Sequence, residues 1–208
     1  EMLRSLVGSE MCIRDRHSSF TFYIFGTRKL ENMGLDTVEL IMEFENHFNI
    51  RFKDEDIQQI SRVEEISNLI CQMIDITSEN KEEFNSLYAL FQDYFGNHIQ
   101  LADKISNYLQ INNFQDLSNF LNLKIKNYSN ILKYIFLDYH FIKWEELTVE
   151  EFINAILITN CKHLFDNNTP KTQYQVYLIV GSIILDRIGC PVYDIQPYAS
   201  ITRNLRID

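Results

Sequence analysis

Residues 34–74 read GLDTVELIMEFENHFNIRFKDEDIQQISRVEEISNLICQMI, and this stretch decides the fold class. Within it Thr37, Leu40, Ile41, Phe44 and Phe48 fall at i, i+3, i+4, i+7 and i+11, one stripe of an α-helix. Leu35, Val38 and Met42 make a second stripe on another face, and Glu39, Glu43 and Glu45 sit between the two. A helix that is apolar on two faces either buries both or keeps one for a partner.

The same period returns along the chain. Phe84, Leu87, Tyr88, Phe91 and Phe95 share a face, as do Ile131, Leu132, Ile135, Phe136 and Tyr139. So do Val149, Phe152, Ile153, Ile156 and Leu157, and finally Tyr177, Val180, Ile184 and Ile188. Thr148 with Glu151 three residues later has the spacing of a capping box. Gly189 followed by Pro191 has the order expected just past a helix C-terminus. Alternating strand-type segments are scarce, so the expected class is all-α.

The 208 residues carry 29 acids against 19 bases, a formal charge of −10. A phosphate backbone is therefore a poor partner, and a basic protein surface or a small molecule a better one. Cys12, Cys71, Cys161 and Cys190 show no CxxC spacing and no histidine cluster, which argues against a zinc site or a disulfide framework. The longest apolar runs, 20–25 and 176–185, fall short of the roughly 20 residues that cross a membrane. Cytoplasm is the expected location. His47, His98, His140 and His163 are scattered. Neither Asp138–Tyr139–His140 nor Asn160–Cys161–Lys162–His163 forms a nucleophile–base arrangement, and no glycine-rich phosphate loop is present. The chain reads as a non-enzyme with no metal.

The first 32 residues stand apart. EMCIRDR, Glu10 to Arg16, matches an in-frame translation of a transposon end used to prepare sequencing libraries. Residues 1–32 are accordingly expected to be adapter and read-through, with Met33 as the natural start, and they take no part in the fold reasoning.

Residues 34 to about 74 resemble the second half of an acyl carrier protein. LDTVELIMEFENHF is similar to that family's second helix, KDEDIQQI to its acidic loop and third helix, and RVEEISNLI to the start of its fourth. Residues 173–208, QYQVYLIVGSIILDRIGCPVYDIQPYASITRNLRID, resemble the first helix and the long loop after it. Joined head to tail, NLRID and GLDTVEL restore the family's Asp-Leu-Gly-x-Asp-Ser-Leu pattern. The resemblance implies an acyl-carrier-like helical bundle assembled from both ends of the chain by circular permutation. Residues 33–74 would supply helices II to IV, 173–208 helix I and its loop, and 75–172 a helical insertion in which ELTVEEFINAI is similar to a carrier's fourth-helix entry. Permutation requires the joined ends to lie close together at the surface.

The resemblance also locates the family's modified serine, and there this chain has Gly34, with Asp208 the residue before it in the permuted order. Met33 stands where the family has Asp, and Arg206 replaces a loop glycine. Glycine offers no hydroxyl to receive 4′-phosphopantetheine, so no cofactor is expected. The alternative is a functional carrier modified at Thr37, or at a serine lost by truncation beyond Asp208; Thr37 aligns with a threonine that carriers bury. What remains of carrier function is recognition: the family's partners read an acidic second helix with basic patches. By resemblance Leu35, Val38, Glu39, Met42 and Glu45 form that docking face, in a segment, 34–76, with ten acids against three bases. The implied role is a non-catalytic pseudo-carrier or scaffold in fatty-acid or polyketide-type synthesis. Its partner would be a basic surface on a synthase or acyltransferase-type enzyme.

Overall fold

Residues 35–58, 60–125, 144–164 and 169–201 are described by the computed structural model. Residues 1–32, Met33, Gly34, the stripe from Ile131 to Tyr139, Arg206 and Asp208 lie outside the described residues. Among those described the regular structure is helical, without a β-strand. Two isolated bridges, Arg62 to Ser200 and Lys104 to Thr148, tie loops together.

Helix α1 spans Leu35–Phe48, and its stripe of Thr37, Leu40, Ile41, Phe44 and Phe48 is buried. Each large apolar side chain taken fully out of water contributes about 1.5–3 kcal/mol, so packing rather than intrinsic propensity holds this helix. It ends at Asn49, whose φ of 53° is the left-handed conformation that asparagine tolerates. The Ile50 N–H then returns to the Glu45 carbonyl at 3.0 Å, closing the last turn. A single acidic turn, α2 (Asp54–Ile57), buries Ile57. Helix α3 (Val63–Met73) buries Val63, Ile66, Ile70 and Cys71.

The next segment supplies α4 (Glu82–Phe95), α5 (Phe114–Lys124), α6 (Val149–Thr159) and the short α7 (Cys161–Leu164). Helix α6 starts at the capping box read from the sequence. The Glu151 N–H donates to Thr148 Oγ1 at 3.2 Å, and the Thr148 N–H donates to Glu151 Oε2 at 2.9 Å. Helix α8 (Gln173–Ile188) is the most widely packed of the described helices. Tyr174 and every residue from Val176 to Ile184 are buried, so the helix is covered all round rather than along one stripe. α1 and α3 pack against it, and so does α6. The α6 contact is close: a Cβ added to Gly181 would lie 2.9 Å from Ile158 Cδ1 and 3.0 Å from its Cγ1. Gly189, at φ 66°, then ends the helix with its N–H on the Leu185 carbonyl.

The chain after α8 folds back as a strap over α3. Val63 N–H donates to the Ala199 carbonyl at 3.1 Å and Glu64 N–H to the Pro197 carbonyl at 2.8 Å, while Ile201 N–H donates to the Ser61 carbonyl at 2.9 Å. Two N–H groups that a helix N-terminus leaves without internal acceptors are thus satisfied by a segment more than a hundred residues away. The helices of 35–74, 75–164 and 173–201 share one hydrophobic core.

Candidate functional site

The residues singled out for docking lie on α1, whose orientation is fixed by its buried stripe against α8. Thr37 belongs to that stripe and is 7% exposed, so its hydroxyl is not displayed to a modifying enzyme. One position further, the side chain of Val38 is half-buried; Glu39 is exposed and Met42 half-buried. These three residues form an accessible strip of two apolar side chains beside one carboxylate. Leu35 opens the helix, but its side chain lies outside the described part.

Glu45 requires a correction. Expected on the docking face, it is 2% exposed. Its Oε1 accepts the N–H of buried Phe52 at 2.9 Å, and its Oε2 accepts from Arg51 Nη1 at 2.8 Å. A carboxylate can enter a core when its oxygens are occupied in this way. Glu45 therefore clamps the loop between α1 and α2.

Glu43, between these positions, is half-buried, and its Oε2 accepts from the Arg187 guanidinium at the end of α8. One turn on, burial of the His47 ring pushes its pKa below the usual imidazole value, against the opposing pull of the Glu43 carboxylate. The face seen by solvent is thus less acidic than the sequence of α1 implies, because one carboxylate is buried and another is paired.

Among the described residues the other sequence candidates, Cys161 and His163, differ in exposure. Burial, reinforced by the Asp186 carboxylate, pushes the Cys161 thiol up to about 12, so it stays protonated at neutral pH. His163 is exposed, and the Asp138–His140 run lies outside the described residues. Among the described residues no three His, Cys, Asp or Glu side chains are grouped to hold a metal ion, and no helix is long and apolar enough to cross a membrane.

The chain is 58% identical over 38 residues to an acyl carrier protein of Chloroherpeton thalassium, covering 18% of this chain and 48% of that protein. It is 53% identical over 36 residues to an acyl carrier protein of Chlorobium phaeobacteroides, covering 17% of this chain and 46% of the relative. Part of this chain is acyl-carrier-like. The carrier-like match spans about half the length of these curated relatives. No family model matches the chain, and no solved structure matches it.

Contacts between elements distant in sequence are not announced by any local pattern. Arg187 reaches Glu43 across 144 positions of sequence, a pairing that no local pattern announces. In the first turn of α8, Tyr174 donates to Asn154 Oδ1 at 2.7 Å, a buried polar pair joining α8 to α6. Tyr198 of the strap donates to Glu151 Oε1 at 2.6 Å, which ties the strap to the α6 cap.

Proposed function

We propose that this chain is a circularly permuted, carrier-like interaction module that docks on partner enzymes through α1 and carries no prosthetic arm. Its role is that of a non-catalytic pseudo-carrier or scaffold beside fatty-acid or polyketide-type synthesis, facing a basic surface of a synthase or acyltransferase. The observation that carries the reading is the division of α1: Thr37 is turned into the core while Val38, Glu39 and Met42 stay accessible. The attachment position itself, Gly34, has no hydroxyl, Thr37 is buried like the threonine it aligns with, and the residues suited to recognition are kept. The packing of α8 against both α1 and α3 supports the permuted order, with a late helix taking the place of the family's first one. Gly34, at the attachment position of the resemblance, supports the absence of an arm.

The 58% identity to a curated carrier favours one other reading, a working carrier with phosphopantetheine on Thr37 or on a serine following Asp208. Incubation of the protein, expressed to the natural stop codon of its gene, with a phosphopantetheinyl transferase and coenzyme A, followed by intact-mass measurement, separates the two. An unchanged mass is expected, and a covalent increment overturns the scaffold reading. Docking is tested on an immobilised ketoacyl synthase by surface plasmon resonance. Glu39→Lys combined with Met42→Asp should weaken binding by about tenfold, equivalent to about 1.4 kcal/mol. Binding equal to wild type removes α1 as the docking face.

A further inference from the structure

We propose that Arg187 masks part of the acidic face of α1, so that a cationic partner docking there must first displace it from Glu43. The inference rests on the docking reading above and adds a regulatory contact to it. Glu39 and Glu43 are one helical turn apart, the spacing at which two carboxylates present a common face to a cation. Only Glu39 stands open; Glu43 Oε2 is taken by Arg187 Nη2.

The pair is built to be exchangeable. Its side chains are 53% and 33% exposed, for Arg187 and Glu43 respectively, so water competes for both and the bond is weak. Its cation is nevertheless always at hand. Arg187 lies in the last turn of α8, where the helix dipole favours positive charge, and the buried residues from Val176 to Ile184 hold that helix against α1. A tethered guanidinium beside the carboxylate acts as an internal competitor at high effective concentration. A partner's lysine or arginine gains full contact with Glu39 but only an exchange at Glu43. Removing the Arg187 charge should therefore strengthen binding, although the residue touches no partner.

The test uses the full chain and a fluorescein-labelled decalysine peptide, read by fluorescence anisotropy at low ionic strength, where exposed charges are least screened. Arg187→Gln should bind decalysine about two- to fivefold more tightly than Lys124→Gln, which removes one positive charge from α5. Arg187→Lys keeps the cation and should match wild type. In the wild-type background Glu39→Gln should weaken binding clearly and Glu43→Gln hardly at all, while Glu43→Gln should abolish the gain in Arg187→Gln. Equal affinities for Arg187→Gln and Lys124→Gln, or equal losses from Glu39→Gln and Glu43→Gln, overturn the masking inference alone. If Glu39→Gln changes nothing in any background, cations do not bind this face, and the docking reading falls with it.

Discussion

Replacing Glu45 by alanine separates a docking role for this residue from a structural one. The substitution leaves the N–H of Phe52 without the 2.9 Å acceptor it has now, in a residue that is itself buried. A stranded buried donor costs about 1–3 kcal/mol. The bond to Arg51 adds little, because that side chain is 59% exposed and the pair is screened by water. The working figure is about 2 kcal/mol, which in a domain of this size lowers Tm by about 4–8 °C. Differential scanning calorimetry on three variants tests it. Glu45→Ala should show the full drop; Arg51→Ala and Glu39→Ala should each stay within about 2 °C of wild type, being changes to exposed side chains. Glu45→Gln keeps an oxygen for Phe52 and should recover part of the loss. A Glu45→Ala melt indistinguishable from wild type, or matched by Arg51→Ala, refutes the clamp.

Gly181→Ala should destabilise by about 1–2 kcal/mol. Overpacking against Ile158, with 2.9 Å to Cδ1, outweighs the helix-propensity gain of about 1 kcal/mol. Shortening the neighbour should relieve it, so Ile158→Ala should cost less in the Gly181→Ala background than in wild type, as measured by urea denaturation. His47 sets a pH dependence. Its folded pKa lies below the unfolded value of 6.5, so the unfolded chain takes the proton first. The contribution to stability is complete above pH 6.5 and is lost as the pH falls below it. His47→Gln should flatten the decline in Tm between pH 7.5 and pH 5.5, and an unaltered slope would exclude His47 as its source.

The parts of the fold that were legible in the sequence are those set by local chemistry. The stripe of α1, the Thr148–Glu151 cap and the Gly189 terminus each depend on residues within two or three turns, and each is found where the pattern placed it. Helix α8 was legible only in part. Tyr177, Val180, Ile184 and Ile188 mark one face, whereas burial of the whole run from Val176 to Ile184 follows from packing against α1, α3 and α6 together, a property of assembly rather than period. The docking face was harder to read. Glutamate at position 45 reads as surface because isolated carboxylates avoid the interior. It is buried here because a loop four to seven residues on brings an amide and a guanidinium to meet it. The neutralisation of Glu43 depends on a helix made much later in the chain, and a one-dimensional charge count cannot register it.

The wide packing of α8 has a consequence for biosynthesis. The helices at 35–73 leave the ribosome before Gln173 is made, and at typical rates of elongation the interval is on the order of ten seconds. Throughout it α1 and α3 lack the helix they pack against, and the α3 amides lack the carbonyls of Pro197 and Ala199. Nascent chains of this protein therefore spend that time with oily surface uncovered, a natural target for holdase chaperones. Folding closes from the rear of the polypeptide forward, and slowing translation upstream of codon 173 would lengthen the vulnerable period without altering a single residue.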